Sequence, residues 1–187
     1  GVVRHVIPEF RIPGTSIDKD AALLEKMGVE IRLNTEVKDT AALKAEGFTT
    51  VILAVGASEP GVLRLEQGEA KNALEFLADF KVNDGKLDIG KNVVVIGGGN
   101  TAMDTARAAK RTTGVEHVYL VYRRTKRYMP ADEEELVMAV EDGVEFMELL
   151  SPVKLENGKL ICEVMVLGDM DASGRRGVVK TGELKEI

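Results

Sequence analysis

Apolar residues recur along this chain at two spacings, every third to fourth residue or every second one, and each spacing marks an element. From Ser16, SIDKDAALLEKMG has a serine N-cap candidate, Ile17, Ala21, Leu24 and Met27 at helical intervals, and a closing Gly28. VEIRL (29–33) alternates and predicts a strand, and TAALKAEG (40–47) predicts a short helix. FTTVILAVGA (48–57) is apolar on both faces and β-branched at several positions, which predicts a central parallel strand closed by Gly56. KNALEFLADFKV (71–82) returns to helical spacing at Ala73, Leu74, Leu77 and Phe80, and NDGKLDIG (83–90) is a polar, turn-rich break.

Strand, helix and strand then follow in close order. NVVVI (92–96) runs through three glycines into the Ala-rich helix NTAMDTARAAKRTTG, ended by Gly114. HVYLVY (117–122) is the next strand, PADEEELVMAVEDG (130–143) a helix with Pro130 and acids in its first turn, and VEFMELL (144–150) another strand. Beyond Pro152 the texture changes. An Asn157-Gly158 turn sits between alternating runs and a second turn falls at DASGRRG (171–177), so antiparallel hairpins are expected. The order predicts an α/β, Rossmann-like three-layer domain with a mainly parallel sheet and a C-terminal antiparallel β-hairpin or meander.

Composition narrows this picture. A length of 187 residues suits one domain, with residues 1–60 as N-terminal segments, 90–150 as the core and 151–187 as the meander. A net charge of −6 argues against a general nucleic-acid surface, although Arg123, Arg124, Lys126 and Arg127 form a local basic cluster suited to a small anion. The single Cys162 excludes an internal disulfide, a Cys-x-x-Cys pair and an iron–sulfur site built from this chain, which suggests a cytoplasmic protein. No apolar run approaches the ~18 residues of a membrane span, and the opening lacks the layout of a secretory signal. The chain begins without Met and reads as a piece of something larger.

Gly97-Gly98-Gly99-Asn100-Thr101-Ala102, between a strand and a helix, has the G-x-G-x-x-A form of a dinucleotide-binding turn. Gly97 permits the tight turn, Gly99 lets backbone approach the pyrophosphate, and Ala102 lets helix and strand lie close. The helix start offers N–H groups and a positive dipole end, to which Asn100 and Thr101 can add side-chain donors. The bland alternative is an ordinary glycine turn; strand before, helix after and the next strand in order favour the binding reading.

An acid at the end of the second strand would select NAD. Counting about 20 residues on reaches Glu116, but that residue precedes HVYLVY and so lies at the wrong end of the sheet. The diagnostic position falls at Tyr122 to Arg124, where Arg123 and Arg124 match the 2′-phosphate of NADP, with Arg127 or Lys126 closing from the loop. The competing reading is a solvated basic loop.

Other motifs fail on context. Tyr122 and Lys126 have the Tyr-x-x-x-Lys spacing of short-chain dehydrogenases but leave a strand just after the glycine turn instead of lying on a distant helix. DMDASG (169–174) resembles an EF-hand start, yet its twelfth position is Lys180. Glu133 to Glu135 read as the first turn of a helix, the methionines as core residues, and His5 and His117 are too far apart to suggest a metal site.

The stretches IPEFRIP (7–13), GVEIRLNTEV (28–37), VILAVGAS (51–58), VVVIGGGNTAMD (93–104), VYRRTKRYMPA (121–131), EDGVEF (141–146) and GRR (174–176) together resemble the FAD- and NADPH-dependent oxidoreductases of the glutamate synthase small-subunit type. Asn100 and TKRYMPADEEE look most like the selenate reductase-type members. The resemblance spans almost the whole chain. It implies an NADPH domain inserted in an FAD domain, with NADP(H) held here, FAD held by the rest of the parent protein, and electrons relayed to iron–sulfur clusters. Under that pattern Gly97, Gly98, Gly99, Asn100 and Thr101 serve the pyrophosphate, Arg123, Arg124 and Arg127 the 2′-phosphate, and Gly56 lines the passage toward the flavin. No catalytic acid or base and no metal ligand is implied. The alternatives are an interaction or sensing module with a vestigial nucleotide site, and a self-contained NADP dehydrogenase, which would need a proton donor that the chain does not suggest.

Overall fold

Two consecutive β-α units form the centre of the molecule. The computed structural model describes residues 1–57, 61–170, 172 and 174–187. Helices α1 (Val2–His5), α2 (Gly14–Lys26), α3 (Thr40–Ala45) and α4 (Ala73–Val82) come first. They are followed by β1 (Asn92–Ile96), α5 (Asn100–Arg111), β2 (His117–Tyr122), a 3-10 turn (Lys126–Tyr128), α6 (Glu133–Glu141) and β3 (Glu145–Glu148), and then by β4 (Leu150–Glu156), β5 (Lys159–Met170) and β6 (Arg176–Glu186). Strands β1, β2 and β3 lie side by side and parallel, with Asn92 opposite His117 and Ile96 opposite Val121. Strands β4, β5 and β6 form a separate antiparallel sheet.

The side-chain alternation of β2 explains the layering. Val118 and Leu120 point to one face and join Phe76 and Leu77 of α4, Met103, Ala106 and Ala109 of α5, and Ala139 of α6 in the main core. Val121 points to the other face and, with Val94, Ile96 and Met147, packs on Leu150, Leu160 and Cys162 of the antiparallel sheet. Helices, parallel sheet and antiparallel sheet thus make three layers. Each of Met103, Val118 and Leu120 is fully buried, a contribution of about 1.5–3 kcal/mol apiece.

Three expectations need correction. VEIRL and FTTVILAVGA form no strand, and Leu33, Ile52, Leu53 and Val55 are exposed, Val55 by 87%. A run apolar on both faces becomes a central strand only where neighbouring strands supply ladder bonds and layers cover both sides. Among the described residues, nothing pairs with either run. The run expected as one strand at VEFMELL is divided by Leu149, whose φ of 59° turns the chain out of the parallel sheet and into β4. Pro130 precedes α6 instead of starting it, and Asp132 occupies the N-cap position. The turn at DASGRRG includes Asp171 and Ser173, and the VILAVGAS stretch ends at Ser58; these residues lie outside the described ones.

Candidate functional site

The glycine turn leaves the end of β1 and delivers the chain to α5. Gly97 has φ +146°, and a Cβ there would stand 3.1 Å from the Ala102 Cβ, so glycine serves both the backbone angle and the close approach of helix to strand. Its N–H donates to the Val121 carbonyl at 3.0 Å, fixing the turn beside the end of β2. Gly98 is glycine for a different reason: a Cβ would fall 2.5 Å from the ring of Tyr122. Gly99 is the N-cap of α5 and leaves open space, with Pro130 the nearest atom at 4.0 Å. Asn100 and Thr101 are exposed at the helix start. In the first turn of this 12-residue helix the Ala102 N–H bonds back to the Gly99 carbonyl at 2.9 Å, those of Asn100 and Thr101 lie before any intrahelical acceptor, and the helix dipole adds positive potential at the same place. This donor set suits a pyrophosphate.

The strand end at Tyr122–Arg124 and the loop after it fold across the turn. The Tyr122 hydroxyl donates to the Tyr128 carbonyl at 2.8 Å, and the Ala131 N–H donates to the Gly98 carbonyl at 3.0 Å. Asn100 and Asp132 exchange two bonds: Asn100 Nδ2 donates to Asp132 Oδ2 at 3.2 Å, and the Asp132 N–H donates to Asn100 Oδ1 at 3.1 Å. The basic cluster is divided by its surroundings. Arg123 is exposed, and Arg127 is exposed with its guanidinium 6.0 Å from the Tyr128 ring centre. Arg124 is buried at 8% exposure, and its Nε donates to the Arg176 carbonyl of β6 at 2.7 Å. Its own carbonyl accepts from Leu149 N–H at 3.3 Å, while Lys126 N–H donates to Glu148 at 2.9 Å. Arg124 and Lys126 together therefore join the basic loop to β6 and to β3.

Below the turn a charged seam runs between α5 and α6. Arg11, from the IPEFRIP stretch, reaches Asp104 at 3.3 Å and pairs with Glu135. Arg107 Nε donates to Asp142 at 2.7 Å, and Arg111 binds the same carboxylate with both terminal nitrogens, one bond at 2.8 Å. Phe10 lies under Arg107 and Arg111, its ring centre 5.0 and 4.4 Å from their guanidinium carbons, close enough for cation–π attraction. Burial raises the pKa of Asp104, with Arg11 opposing the shift and Glu135 adding to it. The hydrogen bond from Arg111 holds Asp142 below the usual carboxylate value. Glu135 Oε2 is buried without a hydrogen-bond partner among the described residues; Arg107 Nη1, at 3.8 Å, is too far to donate.

The remaining candidates lie apart. Gly56 is exposed at φ +75° with open space around it, away from the glycine turn's contacts. Glu116 pairs with Lys91 at 2.7 Å before β2 begins, at the opposite end of the strands from Gly97. Tyr122 and Lys126 do not form a pair: the tyrosine is committed to Gly98 and Tyr128. A cavity of about 380 Å³ lies among Lys86, Asp88, Lys91 and Thr113, and one of about 530 Å³ among Phe146, Leu149, Met165 and Lys185; neither includes the glycine turn. No helix of the described residues is long and apolar enough to cross a membrane. Sequence reasoning missed the roles of Tyr122 against Gly98, of Asp132 beside Asn100 and of Arg11 in the seam. The family resemblance includes IPEFRIP (7–13), which marks Arg11 without giving it a role.

Comparison with known proteins adds the lineage. Residues 39–167 match the family described as pyridine nucleotide-disulphide oxidoreductase. YgfK of Escherichia coli (strain K12), named an oxidoreductase, is 42% identical over 188 residues, covering 98% of this chain and 18% of its own length. The NADPH-Fe(3+) oxidoreductase subunit beta of Geobacter sulfurreducens (strain DL-1 / KN400) is 35% identical over 94% of this chain and 28% of its own. The NAD-dependent dihydropyrimidine dehydrogenase subunit PreT of Escherichia coli (strain K12) is 32% identical over 98% of this chain and 45% of its own. The chain thus spans less than half the length of each of these relatives. Among solved structures, FprA of Mycobacterium tuberculosis in complex with NADPH superposes with a TM-score of 0.71 at 20% identity, over 100% of this chain and 59% of that one, and shares the fold.

Proposed function

The chain belongs to the pyridine nucleotide-disulphide oxidoreductase family, and from that premise we propose that it is the NADPH-binding module of a flavin-dependent electron-input protein, nearest in kind to the selenate reductase-type branch of the glutamate synthase small-subunit-like oxidoreductases. That it is a pyridine-nucleotide oxidoreductase module follows from the family and from relatives named as oxidoreductase subunits. When bound, NADPH supplies a hydride from its nicotinamide, which a flavin can accept and pass on toward iron–sulfur clusters.

This chain's own part is positioning. Gly97, Gly98 and Gly99 bring backbone close to the pyrophosphate, and Asn100 and Thr101 receive it at the α5 dipole end. Arg123 and Arg127 face the 2′-phosphate, and Arg124 holds the strand end that presents them. The sequence contains one G-x-G-x-x-A turn, so we place FAD on a partner domain. In this reading residues 1–60 join that domain, the apolar run at 48–57 is covered there, Gly56 lines the passage between the cofactors, residues 90–150 are the binding core and 151–187 the meander. A cytoplasmic setting goes with it.

The observation that carries the choice of NADPH is Arg123, exposed at the end of β2 beside the glycine turn, where NAD selection calls for an acid. The relatives divide on this point, one named for NADPH and one for NAD. Titration with NADPH and NADH, followed by cofactor fluorescence, tests it. We expect preference for NADPH, and about a tenfold loss of NADPH affinity in Arg123→Ala with NADH binding unchanged. Equal binding of both cofactors, with no effect of that substitution, overturns the choice. A second reading, a sensing module with a vestigial site, is favoured by the Asp132 carboxylate beside the first turn of α5, where it opposes an anion. Absence of binding by the intact protein would support it.

A further inference from the structure

The IPEFRIP stretch has no place among the groups that would touch a dinucleotide, yet it is docked firmly on the helix that begins at the glycine turn. Pro8 is fully buried, Lys81 donates to the Ile7 carbonyl at 2.8 Å, and Phe10 lies beneath Arg107 and Arg111. Arg11 then enters the seam between α5 and α6, where Asp104 and Glu135 face each other from the two helices. We propose that Arg11 is a positioning residue for the nucleotide site: its guanidinium neutralises Asp104 and Glu135 across the seam and so keeps Asn100 and Asp132 paired beside the glycine turn. This rests on the reading that the turn binds NADPH.

The charge arrangement explains why one residue has this reach. The groups facing Asp104 are Arg11, Arg107 and Glu135. Arg107 is already engaged by Asp142 through Nε, and its Nη1 stands 3.8 Å from the orphaned Glu135 oxygen. Removing Arg11 leaves two carboxylates in a site where Asp104 is 6% exposed, with one committed cation between them. Poorly screened repulsion of that kind is relieved by taking up a proton or by opening the seam. Glu135 lies three residues after Asp132, the N-cap of α6, so an opened seam draws Asp132 away from Asn100. The first turn of α5 then loses its lateral support.

The test uses the intact protein, with NADPH affinity measured by cofactor fluorescence at about pH 6 and about pH 8 for Arg11→Ala, Arg11→Lys and the double variant Arg11→Ala/Asp104→Asn. We expect Arg11→Ala to weaken binding about tenfold at the higher pH and less at the lower, where the carboxylate pair takes up a proton. Arg11→Lys should keep most of the affinity, and Asp104→Asn should restore the Arg11→Ala chain to within about twofold. Unchanged binding in Arg11→Ala overturns the proposal, as does a double variant as weak as the single one, since docking of the segment and not charge would then matter. If the unsubstituted protein fails to bind NADPH, the functional reading fails separately. Amide hydrogen exchange at Asn100–Ala102 and Asp132–Glu135 then decides the seam: faster exchange in Arg11→Ala, reversed in the double variant, supports it, and no change overturns it.

Discussion

The described residues of 29–57 and the stretch from Asn92 to Met165 are both rich in branched apolar residues, but only the second packs them into a core. Val95, Val118 and Leu120 are covered by helices on one face and Val121 by the antiparallel sheet on the other. Ile52, Leu53 and Val55 carry the same kind of side chain and remain in solvent. A strand is thus a property of a set of chains in register, and apolar sequence is only an offer to join one.

The contrast can be broken most strongly in the core. Leu120→Ala should cost about 2–5 kcal/mol in urea unfolding, whereas Leu53→Ala should stay within about 0.5 kcal/mol; comparable losses would mean that the upstream run is packed in solution. Next in size is Gly98→Ala, which drives the Tyr122 ring off the turn and should cost about 1–3 kcal/mol by thermal unfolding, with much of it recovered when Tyr122→Leu is added. Arg111→Ala, on the core side, should cost a similar or smaller amount, about 1–3 kcal/mol. Its pH dependence has a definite sign. The folded-state pKa of Asp142 is held below its ordinary 3.8, so this contribution is present above that value and disappears as pH falls through the lowered one. A pH-independent loss would assign the effect to Phe10 packing. The smallest effect concerns Cys162 of β5, buried between the two sheets with its thiol pushed up to about 11 by burial. It should alkylate far more slowly at pH 8 than the same thiol in urea, and equal rates would show that this layer opens readily.

What could be read in advance was what local spacing determines. NVVVI, the glycine turn and the Ala-rich helix signal themselves within 25 residues, and they stand where expected except that α5 ends at Arg111, short of Gly114. The Asn157-Gly158 turn announced the β4–β5 hairpin in the same way. The failures involve residues whose conformation is set from a distance. Leu149 adopts a left-handed angle that leucine sequence context does not announce, held by Arg124 and Met165 through backbone bonds. Gly98 looked like a phosphate-approach glycine and is also the seat of an aromatic ring 24 residues later. Arg123 and Arg124 are equivalent as letters, but the bend after β2 leaves one exposed and buries the other. Arg11 is 93 residues from Asp104, and no periodicity connects them.

The bond from Arg124 to the carbonyl of Arg176 has a consequence for how sequences of this kind can diverge. The acceptor is main chain, so residue 176 can change its identity through evolution while the anchor persists. For this bond the constraint falls on position 124 and not on the side chain at residue 176, so a comparison that searches for paired substitutions at these two positions would pass over it. Moving the hairpin by one residue, through an insertion or a deletion near residue 174, would disturb it where replacing the side chain at residue 176 would not.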